Sequence, residues 1–221
     1  WVIKNHKKYD IRIVNMSLGD DTAGSWKNCK VDLLAEKLIE SGISIVAAVG
    51  NDDKADIMPP ANSPNVIAVG GWDDNNMING EENKLYHSSF GKTEDAFHKP
   101  ELIANAIWMA APILPQTPEQ EAAKALYELQ NIPDEKLKQK LLTSAGKTGI
   151  HVEDSEINDV TYWREKLKGR IQESKYISPF YMHVDGTSFA APIVSSVIAQ
   201  MLEINPGLTP AQIRTLLFST A

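Results

Sequence analysis

Three short, almost uninterrupted apolar runs, each broken by a polar turn, limit what this chain can fold into more than any other feature. Ile11 to Ser17 is rich in β-branched residues and stops at Leu18-Gly19-Asp20-Asp21; Ser44 to Val49 breaks at Gly50-Asn51-Asp52-Asp53; Val66 to Val69 ends at Gly70-Gly71. A shorter fourth run spans Glu101 to Ala104. Runs of this kind fit strands covered on both faces, as in a parallel sheet. Between the first two, Val31, Leu34, Ala35, Leu38 and Ile39 recur at helical spacing, and Gly42 stands where a left-handed cap is wanted. Buried strands alternating with a helix read as a layered α/β domain with a largely parallel sheet. Ligands collect at the carboxyl ends of such strands, where the polar turns at 17–21 and 50–53 lie.

Residues 115–178 differ in texture, with charged helix formers at Glu119 to Leu126 and Asp134 to Leu142. This stretch reads as a helical insertion with solvated charged faces and a small core of Tyr162, Trp163 and Leu167. Dense packing returns afterwards. Ala190, Ala191, Ile193, Val194, Val197, Ile198, Met201 and Leu202 cover most of a helix's circumference, which predicts a helix in the middle of the domain. Asn205-Pro206-Gly207 ends it, and Thr209-Pro210-Ala211-Gln212 is a capping box that opens a last helix through about Phe218.

The 221 residues carry 22 basic against 29 acidic side chains, a net charge of −7. That balance, with no basic stripe, argues against nucleic acid or an anionic membrane as a partner. No apolar run approaches the roughly 20 residues of a membrane span, and the first 20 residues lack the layout of a secretion signal. The single cysteine, Cys29, has no partner for an internal disulfide. Gly146-Lys147-Thr148 and Gly91-Lys92-Thr93 end like phosphate loops but lack the required earlier glycine, so neither is read as a nucleotide site.

The sharpest local feature is Asp185-Gly186-Thr187-Ser188-Phe189-Ala190-Ala191-Pro192, where a loop enters the apolar helix. A serine there has its hydroxyl and amide at the positive end of the helix dipole, where a developing oxyanion would be stabilised. Pro192 is expected in the helix's first turn, where its missing N–H costs nothing. Taken alone, Thr187-Ser188 is an ordinary cap. The rest of the chain changes that. Gly186 to Pro192 resembles the Gly-Thr-Ser-x-Ala-x-Pro nucleophile motif of the subtilisin-like serine proteases, or subtilases. Asn15-Met16-Ser17-Leu18-Gly19 resembles their cleft-lining segment, and Ala47-Ala48-Val49-Gly50-Asn51 the strand and turn ending in the oxyanion-hole asparagine. Val66 to Gly70, Ser88-Ser89-Phe90-Gly91 and Lys99-Pro100-Glu101 follow in family order.

The resemblance implies an α/β three-layer sandwich with a largely parallel sheet, incomplete at its N-terminal side, with a helical insertion. Residues 1–221 would be a single truncated catalytic domain, with a core of 1–111 and 183–221 and the insertion at about 112–182. The implied activity is peptide-bond hydrolysis through an acyl-enzyme, with Ser188 as nucleophile and Asn51 as oxyanion donor. Ser17, Leu18, Gly19, Ala47, Ala48, Val49, Gly50 and Thr187 would bind the substrate, a peptide or protein with a hydrophobic side chain before the cleaved bond, and Met58 would narrow that pocket. No cofactor is implied. Structural calcium is common in the family, but Asp52, Asp53, Asp56, Asp73 and Asp74 fit no calcium loop by spacing and read as solvated turns.

The departures from the pattern matter as much. The family's aspartate and histidine motifs, Asp-Ser/Thr-Gly and His-Gly-Thr-His, precede the strand at Ile11, and this chain has neither. Its histidines are His6, His87, His98, His151 and His183. His6 reads as solvated in a basic run, and His183 has no visible orienting carboxylate. The chain begins at Trp1 rather than Met, so the reading expects a longer protein, a catalytically inert isolated chain, and a secreted or cell-envelope location. It also expects the exposed edge of the first strand to meet the missing N-terminal half or a second copy, which a dilute monomer by light scattering would count against. The alternative function is a non-catalytic subtilase-like binding or scaffolding module.

Overall fold

The computed structural model describes residues 1–75, 77, 80–151 and 159–221, which divide into two compact units, 1–109 with 185–221, and 110–184. The first is built on parallel strands β1 (Ile13–Met16), β2 (Ser44–Ala48), β3 (Ile67–Asp73) and β7 (Leu102–Asn105), paired in that order. A short β4 (Lys84–Leu85) lies antiparallel to the end of β3. Two further pieces, β5 (Gly91–Lys92) and β6 (His98–Lys99), form a small ribbon.

Alternation along the strands divides the core in two. Ile45, Ala47 and Val49 face a cluster with Ala35 and Leu38 of α2 (Lys30–Glu40), against which Val2 and Ile3 of α1 (Val2–Tyr9) also pack. Val46, Ile67 and Val69 face a second cluster with Ala190, Ala191, Val194 and Ile198 of α6 (Thr187–Ile204) and Ile213 of α7 (Pro210–Thr220). One cluster on each side of a sheet gives helix, sheet and helix layers. The expected capping box forms: Thr209 Oγ1 accepts from Gln212 N at 3.3 Å, and Gln212 Oε1 accepts from Thr209 N at 2.9 Å.

Several expectations need correcting. Gly70-Gly71 does not end the third strand but lies inside β3, because a Cβ at Gly70 would stand 2.8 Å from Pro100 and one at Gly71 would collide with Ala106. In α2 the buried residues are Asp32, Ala35 and Leu38, while Leu34 is 41% exposed, so the stripe faces the sheet rotated from its predicted centre. The basic run holding His6 is helical, and His6 is half-buried, its Nδ1 near the carbonyls of Val2 and Ile3. Helix α6 is not central. Only Thr187, Ala190, Ala191, Val194 and Ile198 are buried, and Val197 and Ile204 lie exposed on the opposite side, since the sheet covers one face. At 18 residues it is, among the described residues, the one helix long and apolar enough to cross a membrane by length and composition. The expectation of no such run is corrected to that extent, although its buried stripe packs on the sheet.

Unit 110–184 holds α3 (Pro118–Asn131), α4 (Asp134–Thr148) and α5 (Val160–Glu173) with a small sheet of β8 (Met109–Pro112), β10 (Tyr181–Val184) and β9 (Tyr176–Ser178). Trp163 and Leu167 are buried with Leu126, Leu129, Leu137 and Leu141, and Tyr162 packs against them. Arg164 reaches the carbonyls of Leu129, Gln130 and Ile132 at the end of α3 and the Asp134 carboxylate, which satisfies groups that helix geometry leaves unpaired.

Candidate active site

Three chain segments meet at the carboxyl end of the sheet: the turn after β1, the turn after β2 and the start of α6. They border a cleft of about 380 Å³. Each is shaped by a local sequence choice. Gly50 has φ 117°, a left-handed conformation that only glycine adopts without strain, and a Cβ there would stand 2.6 Å from Ser89 Oγ. Gly186 has φ 132° and lies against the Asn51 side chain, with room for a Cβ only 3.4 Å from Asn51 Nδ2. These two backbone bends let the turn carrying Asn51 and the first residues of α6 approach each other.

The approach is fixed by hydrogen bonds. Thr187 N donates to Asn51 Oδ1 at 2.8 Å, and Thr187 Oγ1 donates to the same oxygen at 2.9 Å. Because the backbone N–H can only donate, it must face the amide oxygen, which assigns the carboxamide and turns Nδ2 away from Thr187. The Thr187 hydroxyl also lies 3.3 Å from both Gly50 N and Gly50 O. Its one proton goes to the nearer Asn51 oxygen, and its lone pair accepts from Gly50 N. Ser188 follows on the half-buried lip of the cleft, at the second position of α6, where an amide has no helical carbonyl to reach.

Pro192 corrects an expectation. It lies in the second turn of α6, not the first. A proline there removes the N–H that would have bonded to the carbonyl of Ser188. That carbonyl accepts instead from Ser17 Oγ at 2.8 Å. Ser17 Oγ in turn accepts from Asn15 Nδ2 at 3.0 Å, and Asn15 Oδ1 accepts from Ser195 Oγ at 3.1 Å. A helix-breaking residue thus frees the carbonyl that ties the serine's backbone to β1.

Of the residues picked from sequence, Ser17, Leu18, Gly19, Ala48, Val49, Gly50, Asn51, Thr187 and Ser188 all border the cleft. Ala47 does not. Strand alternation turns it into the core, where it is fully buried. Thr187 is fully buried and spends its polar groups on Asn51 and Gly50, so it positions the turn rather than presenting donors to a ligand. Met58 packs beside Gly19, whose Cβ would stand 3.4 Å from Met58 Cβ, and Met58 also lines the cleft. Asp52, Ala55, Asp56 and Ser89 line it too and were not picked out as cleft residues. Among the described residues none of the five histidines lines it; His183 belongs to β10 in the other unit. No three side chains of His, Cys, Asp or Glu come together as a metal-ligand set among the described residues.

The whole chain, residues 1–221, matches the profile of the subtilase family, peptidase S8. The chain belongs to the subtilase family. It is 27% identical over 213 residues to the serine protease AprX of Bacillus subtilis (strain 168), an alignment covering 94% of this subtilase chain and 37% of AprX. It is 33% identical over 107 residues to subtilisin-like protease 2 of Trichophyton rubrum, covering 47% of the chain and 23% of that protein. Among solved structures, Sphericase superposes with TM-score 0.58 at 18% identity, covering 99% of this chain and 51% of the other. S41 psychrophilic protease superposes with TM-score 0.57 at 15% identity, covering 99% and 52%. At these identities the superpositions speak for the fold. This subtilase chain spans about half or less of the length of each of these proteins.

Proposed function

We propose that this chain supplies the nucleophile and the oxyanion hole of a serine endopeptidase. In this reading Ser188 Oγ attacks the scissile carbonyl as its proton passes to a general base. The Ser188 amide and Asn51 Nδ2 receive the oxyanion of the tetrahedral intermediate. Collapse expels the amine, which takes the proton back, and water then hydrolyses the acyl-enzyme. The observation that carries the reading is the double clamp of Thr187 on Asn51 Oδ1, which leaves Nδ2 as the free end of the carboxamide beside the start of Ser188's helix. Losing one oxyanion donor costs about 10² to 10³ in kcat, a figure measured on a subtilisin and not deduced from this cleft.

The general base and its orienting carboxylate come, in this reading, from residues outside these 221, and the edge of β1, unpaired among the described residues, meets that segment or a second copy of the chain. The isolated chain is then inert. The apolar cleft walls at Leu18, Ala48, Val49 and Met58 favour a hydrophobic side chain before the cleaved bond. In this reading the whole protein works outside the cytoplasm, in the envelope or the medium, which cell fractionation checks.

Fluorophosphonate labelling tests the assignment on the full-length protein that contains this chain. The parent labels at one site and Ser188→Ala does not. Equal labelling of both removes Ser188 as nucleophile; an unlabelled parent supports the non-catalytic module instead.

A further inference from the structure

The turn that carries Asn51 is held on its other side by residues 86–89, which follow β4. Its three successive carbonyl oxygens are all occupied. Gly50 O accepts from Ser89 N at 3.2 Å, Asn51 O from His87 Nδ1 at 2.8 Å, and Asp52 O from Ser89 Oγ at 2.8 Å. The clamp is itself mounted on the sheet. Tyr86 N donates to Gly71 O at 3.0 Å, and Gly71 N donates to Ser88 Oγ at 3.1 Å. The His87 ring lies over Tyr86 with centroids 4.0 Å apart.

We propose that His87 is a positioning residue for the oxyanion turn: it fixes the peptide of Asn51 so that the side chain held by Thr187 keeps Nδ2 aimed at the reacting carbonyl. The proposal rests on the reading of Asn51 as an oxyanion donor. Because a carbonyl only accepts, His87 Nδ1 carries the proton whether the ring is neutral or charged, so the bond persists in both charge states. Of the three contacts, this one grips Asn51's own carbonyl. Its ring is exposed and the two Ser89 contacts remain when it is lost, so its removal loosens the turn without unfolding it. One hydrogen bond of this kind corresponds to a roughly three- to tenfold effect.

The test uses the full-length protein and hydrolysis of a peptide nitroanilide. His87→Ala lowers kcat roughly three- to tenfold with KM unchanged. His87→Asn restores most of it, since its Nδ2 stands where Nδ1 stood, whereas His87→Gln, one carbon longer, does not. In an Asn51→Ala background His87→Ala adds nothing. The proposal is overturned if His87→Ala matches the parent while Asn51→Ala is impaired, if alanine and asparagine at 87 are equally impaired, or if the two losses multiply. Should Asn51→Ala itself leave kcat unchanged, the oxyanion reading falls first, and this proposal with it. Independently of turnover, amide exchange at Lys54 and Ala55, whose N–H groups bond to Asp52 within the turn, quickens in His87→Ala and returns in His87→Asn. Unaltered exchange in His87→Ala overturns the proposal as well.

Discussion

Asp32 offers a quantitative test of the packing. It sits in the first turn of α2, where the helix dipole favours an anion, yet it is fully buried and its pKa is pushed up from the ordinary 3.8 to about 6. Burial is the largest cause, and the negative charges of Glu36 and Asp20 add to it. Cys29 and Asn62 approach from the other side and oppose the rise, but both carboxylate oxygens still lack a partner at good hydrogen-bond geometry. A carboxyl with a raised folded pKa holds its proton more tightly in the folded state than in the unfolded one. Its contribution to stability is therefore fully present below about 3.8 and is lost as pH rises through about 6. The gap between 3.8 and about 6 amounts to about 3 kcal/mol. Asp32→Asn keeps the shape and removes the ionisation. Urea unfolding of both proteins at pH 4, 5, 6 and 7 reads the difference in stability. Asn should gain on Asp by about 2.5 kcal/mol between pH 4 and pH 7, with nearly all of the gain in place by pH 7. A difference that stays flat with pH, or that runs the other way, refutes the burial argument, whatever the absolute stabilities.

Two further substitutions probe the site and its support. Thr187→Val keeps the β-branched shape but deletes the hydroxyl bond to Asn51 Oδ1 and the acceptor for Gly50 N; on the proposed peptidase reading, the full-length protein should lose roughly three- to tenfold in kcat at constant KM, and Thr187→Ser should recover it. Lys99 is 3% exposed, its ammonium donating to Val66 O at 2.8 Å and to Glu101 Oε1 at 2.6 Å, while Glu101 also accepts from Ala68 N and faces Arg214 at 3.5 Å. Glu101→Gln strands a buried cation and should cost about 3–5 kcal/mol. Lys99→Met leaves Glu101 its other two partners and should cost less, an order that thermal unfolding checks and that equal losses would contradict.

What the sequence made legible divides along the range of the interactions involved. Strand β2 and the capping box at Thr209 are local devices, readable because β-branched runs, proline and a paired Thr and Gln act within a few residues. That Ser188 and Asn51 border one cleft was legible only through several motifs in one order, since nothing near Asn51 announces that its side chain will be held by a threonine 136 residues away. Where sequence reading went astray, a distant neighbour had overruled a local rule. The pair Gly70-Gly71 looks like a strand end until Pro100, Tyr86 and Ala106 press against it. A helix's apolar period shows that a face is buried but not how far it is turned, so Asp32 went inside and Leu34 stayed out. His87 carried no signal beyond its place before Ser88-Ser89, because the carbonyl it holds lies 36 residues earlier.

Pro192 shows why such conflicts point toward function. Read locally, a proline in the second turn of a helix is a defect: it deletes a backbone hydrogen bond and crowds the carbonyl four residues before it. A chain selected for helix stability alone has no use for it at that spot. The carbonyl it releases belongs to Ser188, and that carbonyl is the one the structure ties to Ser17 in the turn after β1. The local cost therefore falls at the point where the backbone of Ser188 is anchored to the turn after β1 rather than to its own helix. A local rule broken without repair marks an error, whereas one whose released group is captured by a distant segment marks a site where position matters more than stability.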